Sequence, residues 1–481
     1  MNKNKFVGRT EEVKILQKYY ESQKSELVAV FGRRRVGKTF LVRETMKEKF
    51  DFEFSGMYQV PAKIQRRQFQ VELDQLSKEK NKMPADWFEA FGNLKRYLLS
   101  LGKEKVVVFL DELPWMDTQK SNFIAALSWF WNSWGKESVI LKLYVCGSAT
   151  TWMLEKLIGD RGGLYGRITR SIYLAPFTLA ETEYFLNDIK DMNYGQKHVL
   201  DAYMVFGGIP YYLDMLDKEL PFSVNVDNLF FSENAPLKTE YEFLFRSLFR
   251  NSNNYRKVIE LLSEKLIGLT REEIAEKCNL SGGELSHIIK DLNSCDFIRG
   301  YSDPNKKERS YVYQLTDMFS LFYLRFVQNN DGQDAHFWTN MSNTGAKNAW
   351  AGYAFEQVCL HHIQQIKIKL GISGILSNAY AWNCKPFTDK DGNEWKGGQI
   401  DLVIDRSDNV MNLCEMKYSQ DEYLIDKDYA DTIRVRTNLF RNVQKTKKDL
   451  KCTFITLYGV KSNIYSRMVD NQITMDDLFH K

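Results

Sequence analysis

Leu27-Val28-Ala29-Val30-Phe31-Gly32-Arg33-Arg34-Arg35-Val36-Gly37-Lys38-Thr39 is the stretch that decides the fold. Five consecutive apolar residues read as a strand buried on both faces. The run breaks at Gly32, and Phe40-Leu41-Val42-Arg43-Glu44 continues in a helical pattern. The turn between them spells G-x-x-x-x-G-K-[ST], whose backbone N–H groups and helix N-terminus cradle phosphates. Lys38 is placed to reach the β- and γ-phosphates, and the Thr39 hydroxyl to ligate Mg²⁺. Gly32, Arg33, Arg34, Arg35, Val36 and Gly37 form the cradle, with Phe40 on its helical side.

Working outward, Val106–Leu110 is a second apolar run and ends in Asp111-Glu112. Asp111 supplies a carboxylate for the Mg²⁺ shell, and Glu112 can polarise an attacking water. A third run, Leu141–Cys146, ends in Gly147-Ser148, which places Ser148 to orient the water or the γ-phosphate. Phosphoryl transfer also needs a cation against the charge of its transition state. Arg161, Arg167 and Arg170 follow, and Arg167 is the candidate. Helical faces lie before and between these strands, at Val13, Leu16 and Tyr20 and at Leu127, Phe130, Trp131 and Trp134. Strands alternating with helices over about 150 residues predict a parallel α/β sheet.

Phe6-Val7-Gly8-Arg9-x-x-Glu12, the phosphate loop, Leu110-Asp111-Glu112, Cys146-Gly147-Ser148-Ala149, Leu164-Tyr165-Gly166-Arg167 and Gly207-Gly208-Ile209-Pro210 together resemble the archaeal-type ATPase family, a branch of the AAA+/STAND-like P-loop ATPases. The resemblance implies ATP binding with slow or regulated hydrolysis, and sets Val7, Gly8 and Arg9 near the adenine end. Ser148 stands where many AAA+ enzymes carry Asn, a departure that bears on turnover rather than on nucleotide binding.

Residues 175–250 read as mainly helical. Residues 255–313 read as helix, turn, helix and two short strands, a winged-helix pattern with a helix at 284–292 and a wing at 302–309. Residues 255–313 carry ten Lys/Arg against ten Asp/Glu. Zero net charge gives little counterion-release affinity for DNA. A packing role against the ATPase core is therefore favoured over DNA contact.

Gly398–Ile404 alternates like a strand, Arg406-Ser407-Asp408-Asn409 turns it, and Val410–Lys417 returns. Asp401 and Glu415 then converge at one end of a hairpin, with Lys417 on the face of Glu415 because strands have period two. Carboxylate oxygens suit Mg²⁺, and a nearby lysine can position or deprotonate water for attack on a phosphodiester. The arrangement resembles the PD-(D/E)XK nuclease superfamily over about 350–460, with Ile400 where the name-giving Pro would stand. The resemblance implies a mixed sheet flanked by helices, and adds Glu356 as the helical acid. The 425–451 stretch holds eight Lys/Arg against four Asp and could track a phosphate backbone.

The whole chain has 481 residues, 44% hydrophobic and 27% charged, with a formal charge of +4. That excludes a disordered or strongly nucleic-acid-coating protein. No stretch approaches the ~18 apolar residues of a membrane span. Seven scattered cysteines, never spaced C-x-x-C, argue for a reducing cytoplasm.

The expected architecture is multidomain α/β: a P-loop ATPase core at 1–174, a helical lid at 175–250, a winged-helix domain at 251–327 and a restriction-endonuclease-like α/β domain at 335–481. Its expected activity is ATP hydrolysis coupled to a nuclease-like domain acting on nucleic acid, DNA ahead of RNA, with scope for self-association. A STAND-like switch and a remodelling ATPase, each with an inert end domain, are the alternatives.

Overall fold

A computed structural model describes residues 8–47, 49–134, 137, 139–148, 150–159, 164, 166–249, 251–301, 311–342, 344–388, 392 and 394–480. Val7, Arg161 and the expected wing at 302–309 lie outside these residues.

The first sheet has five parallel strands: β1 (Glu26–Phe31), β2 (Phe52–Ser55), β3 (Lys105–Asp111), β4 (Ile140–Gly147) and β5 (Arg170–Tyr173), in the order β2-β3-β4-β1-β5. All six residues of β1 are buried. Val28 and Val30 pack into one apolar layer, while Leu27, Ala29 and Phe31 pack into the other. That alternation is why the strand reads as an unbroken apolar run. The two edge strands of four residues each, β2 and β5, are too short and too exposed to stand out in the sequence. β4 lies between β1 and β3, so the turn after β4 faces both the phosphate loop and the end of β3.

Helices follow from Leu179 to Leu248. The first is held by a capping box between Thr178 and Glu181. The Gly207-Gly208 break is conformational: both have positive φ, and a Cβ on Gly208 would lie 2.3 Å from the Phe177 carbonyl oxygen.

Next come helices Ser252–Glu264, Arg271–Cys278 and Gly282–Ser294, with the antiparallel strands β6 (Leu269–Thr270), β7 (Ile298–Tyr301) and β8 (Val312–Leu315) in the order β6-β8-β7. The Gly282–Ser294 helix buries Leu285, Ile288 and Leu292 and packs against Thr150–Trp152 of the ATPase region. Its Lys290 pairs with Glu155.

The last sheet is mixed: β9 (Ser377–Cys384), β12 (Gly398–Arg406), β13 (Val410–Lys417), β14 (Asp449–Thr456) and β15 (Asn471–Ile473), ordered β15-β14-β13-β12-β9. A small hairpin, β10 (Phe387–Thr388) with β11 (Glu394–Trp395), stands apart. β12 and β13 are antiparallel, while β13 and β14 are parallel and joined through the Lys427–Gln444 helix. Leu402, Ile404, Cys414 and Met416 share a core with the Gly345–His361 helix, and Ile400, Val403 and Leu413 share one with Leu439 and Phe440.

The polar stretch 328–334 is an exposed loop, but it does not separate two independent bodies. Just beyond it, Trp338 packs edge-on against Phe322, Phe326 and Trp350, and its backbone N–H donates to Asp227. One continuous core runs from β1 through the Leu179–Leu248 helices to Phe355 and Val358. Among the described residues, no helix is long and apolar enough to cross a membrane.

Candidate functional site

The phosphate loop leaves β1 and returns through the Lys38–Met46 helix, whose N-cap is Gly37. Gly37 takes φ +91°, and the position a Cβ would occupy there is open space. Arg35 also has positive φ, at +71°. Left-handed residues on either side of Val36 curl the backbone so that N–H groups can converge on one point, the geometry that receives an anion.

Lys38 is buried, and its ammonium donates to the carbonyls of Gly32 (3.1 Å) and Arg33 (2.8 Å). Burial pulls its pKa down, opposed by the charges of Glu112 and Asp111. Thr39 Oγ1 donates to Asp111 Oδ2 at 2.7 Å, although 72 residues separate them. Burial, and then the charge of Glu112, push the Asp111 carboxyl up. A hydroxyl and a partly desolvated carboxylate in contact fit a Mg²⁺ site in which nucleotide phosphates supply further oxygens. No ready-made cluster of three or more His, Cys, Asp or Glu for a metal occurs among the described residues.

Glu112 takes φ +45°, which turns its side chain toward the end of β4. There Ser148 donates twice to it, from its backbone N (3.1 Å) and from its hydroxyl. Arg167 is exposed on the turn before β5, and no hydrogen bond or ion pair among the described residues joins it to this group. Arg9 is buried, donates to the Ala175 carbonyl at 2.6 Å and lies 5.0 Å from the centroid of the Phe177 ring. Gly8 packs beside Glu181 of the Leu179–Tyr184 helix, and a Cβ there would collide with that side chain. Val36 is buried and Phe40 is half exposed. Arg34 lies 5.8 Å from the Trp115 ring.

The sequence did not disclose what holds the other two loop arginines. Arg33 forms a fully buried ion pair with Asp317, and its guanidinium lies 4.7 Å from the Phe297 ring. Arg35 pairs with Glu240 at 2.9 Å and stacks on Tyr211 at 3.9 Å. Asp317 has only the local signature of a helix cap, Asp followed three residues later by Ser320, which donates to it.

In the last sheet, Asp401 and Glu415 do converge: Met416 N donates to Asp401 Oδ2 at 3.0 Å, beside Glu415. Lys417 Nζ lies 3.4 Å from Glu415 Oε2. Glu356, on the Gly345–His361 helix, is pushed up to about 8, first by burial and then by the charge of Asp401. Two further residues of this cluster come from the Lys427–Gln444 helix. Tyr429 donates to Glu415 Oε2 at 2.6 Å, and Arg436 pairs with Glu415 Oε1. Both oxygens of Glu415 are thus engaged, by Tyr429 and Arg436, with Lys417 beside them. As arranged, the cluster does not fit a divalent ion unless Arg436 gives up Glu415.

Comparison with known proteins agrees with the first site. Residues 6–216 match the family described as "ATPase domain predominantly from Archaea". An uncharacterized protein of Methanocaldococcus jannaschii is 25% identical over 438 residues, 89% of this chain and 90% of its own length. An uncharacterized ATP-binding protein of the same organism is 41% identical over 44 residues, 9% of this chain and 75% of its own length. Among solved structures, a Walker-type ATPase of Pyrococcus abyssi overlaps 67% of this chain and 96% of its own, at 17% identity and TM-score 0.47. Residues 6–216 are therefore similar to P-loop ATPase domains found predominantly in Archaea, and this similarity supports ATP binding at the phosphate loop.

Proposed function

We propose that the chain is a nucleotide-gated protein in which ATP state, set at the phosphate loop, governs a nuclease-like C-terminal domain that engages nucleic acid. The observation that supports this most is the tie of Arg33 and Arg35 to Asp317 and Glu240, which fastens the phosphate loop to segments outside the parallel sheet. In this reading Lys38 exchanges its two loop carbonyls for β- and γ-phosphate oxygens. Thr39 and Asp111 would hold Mg²⁺, which would neutralise phosphate charge. Glu112 leaves Ser148 to accept a hydrogen bond from the attacking water, and that water displaces the β-phosphate oxygen from the γ-phosphorus. Arg167 supplies the transition-state cation from a second copy, which its exposed position allows. In this reading the chain is organised as ATPase core (1–174), lid (175–250), winged helix (251–327) and end domain (335–481), packed on one continuous core, and the setting is the cytoplasm.

The mixed sheet with Asp401, Glu415 and Lys417 at one hairpin end supports the nuclease-like reading of 335–481. In the same proposal Glu356, Asp401 and Glu415 would hold a metal only once Arg436 gives up Glu415. A second reading, a STAND-like switch with an inert end domain, is favoured by one observation: Glu415 is already satisfied by Arg436 and Tyr429.

The deciding experiment incubates labelled single- and double-stranded DNA and RNA with the protein, Mg²⁺ or Mn²⁺, with and without ATP, beside Lys417→Ala. Cutting by wild type alone, altered by ATP, is the expected result. Absence of cutting on every substrate overturns the nuclease reading and leaves the switch.

A further inference from the structure

Asp317 lies 284 residues from Arg33, outside the segment that matches the ATPase family, yet it contacts the phosphate loop directly. The pair is sealed: the side chains of Arg33 and Asp317 are 3% and 1% exposed. Asp317 has no slack. Its backbone N–H and that of Thr316 both donate to the Phe297 carbonyl, and its carboxylate accepts from Ser320 N at 2.9 Å. Arg33 lies over the ring of the same Phe297. Its buried Nη2 has no hydrogen-bond partner among the described residues.

Two residues before Asp317, at the end of β8, the Leu315 carbonyl accepts from the Tyr353 hydroxyl at 3.1 Å. Tyr353 is buried on the Gly345–His361 helix, one turn before Glu356 and on the same face. Contacts therefore run from Arg33 to Asp317, along the end of β8 to Leu315, and from there to Tyr353 on the helix that carries Glu356.

We propose that Asp317 is a positioning residue for the nucleotide site, holding Arg33 in the phosphate loop, and that Tyr353 passes the loop's nucleotide state to the helix carrying Glu356. The physical reason lies in Lys38. In the structure it is held by the carbonyls of Gly32 and Arg33. Phosphate oxygens compete for that ammonium, and its departure releases the peptide that carries Arg33. Because Arg33 is tied to a buried carboxylate, its backbone cannot shift unless Asp317 and the end of β8 shift with it. The role of Glu356 at the receiving end rests on the nuclease-like reading above; the relay itself does not.

The test uses the full chain and hydrogen–deuterium exchange of peptides covering 345–361, with and without ATP and Mg²⁺, for wild type, Tyr353→Phe, Asp317→Asn and Asp317→Glu. In wild type, ATP changes exchange in 345–361. Tyr353→Phe, which removes one hydroxyl, keeps the ATP dissociation constant within twofold and loses that change. Asp317→Asn weakens ATP binding at least tenfold, and Asp317→Glu recovers most of it. An ATP-independent exchange pattern in wild-type 345–361, or an undiminished response in Tyr353→Phe, overturns the relay. Equal ATP affinity in Asp317→Asn and wild type overturns the positioning role. If exchange responds to ATP but no substrate is ever cut, the relay stands and the nuclease reading falls.

Discussion

Ser148 donates both its backbone N–H and its hydroxyl to the carboxylate of Glu112, one to each oxygen. The relation follows from strand order: β4 lies between β1 and β3, so the turn after β4 stands beside the residue after β3. Glu112→Gln is expected to keep ATP affinity and to slow turnover by ~10²–10⁴-fold, the usual contribution of a positioned general base. Ser148→Ala removes the hydroxyl placed to orient the water or the γ-phosphate once Glu112 has left it, keeps affinity and lowers turnover by about tenfold, the size of one hydrogen bond to a charged group. Phosphate release and calorimetric titration check both. Wild-type turnover in Glu112→Gln rules out its role.

Lys38→Ala removes the cation of the phosphate loop. ATP affinity is expected to fall by about 100-fold or more, since hydrogen bonds to charged groups are each worth ~1.5–3 kcal/mol. Calorimetry with a slowly hydrolysed ATP analogue reads this directly. An unchanged dissociation constant removes the phosphate-loop assignment.

Acid sensitivity is expected at His362. Its Nε2 accepts from Leu179 N at 3.0 Å, its Nδ1 contacts the Val358 carbonyl, and it is 1% exposed. Burial depresses its pKa from 6.5 to about 4. A depressed folded-state pKa gives stability that is complete above 6.5 and is lost as pH falls toward 4. The loss is on the order of 3 kcal/mol over that window. Thermal melts at pH 7 and pH 4.5 should show a smaller drop for His362→Gln than for wild type. Equal drops would show that His362 does not carry the effect.

Glu356 has the opposite sign. Its folded-state pKa is raised to about 8, so its contribution is complete below about 4.5 and is lost as pH rises through 8. Glu356→Gln is expected to flatten the decline in melting temperature between pH 6 and pH 8.5. A melting curve series over that range decides it, and an unaltered decline would place the titration elsewhere.

The ATPase half was legible because its chemistry is local. The phosphate loop, Asp111-Glu112 and Ser148 each follow a strand, and a buried parallel strand announces itself as an unbroken apolar run. The hairpin bearing Asp401, Glu415 and Lys417 was legible by the same logic of period two. The partners of these residues were not. Asp317 and Glu240 meet the loop arginines across 284 and 205 residues, and nothing in their neighbours marks the contact. Tyr429 and Arg436 sit in a stretch readable only as basic, and which of its faces meets Glu415 is set by tertiary packing. The edge strands β2 and β5 are four residues long, below the length at which periodicity separates strand from loop.

The aromatic seam formed by Phe322, Phe326, Trp338 and Trp350 has a consequence for how such a chain can be inherited. The exposed loop at 328–334 looks like a place where recombination could exchange one C-terminal half for another. A crossover there would leave two indoles facing a foreign surface and Asp227 without the backbone donors of Trp338 and Thr339. Trp338→Ala alone is expected to cost about 3–5 kcal/mol. The two halves of the seam are therefore constrained to travel as one unit, and a new partner for this ATPase would have to bring its own tryptophans.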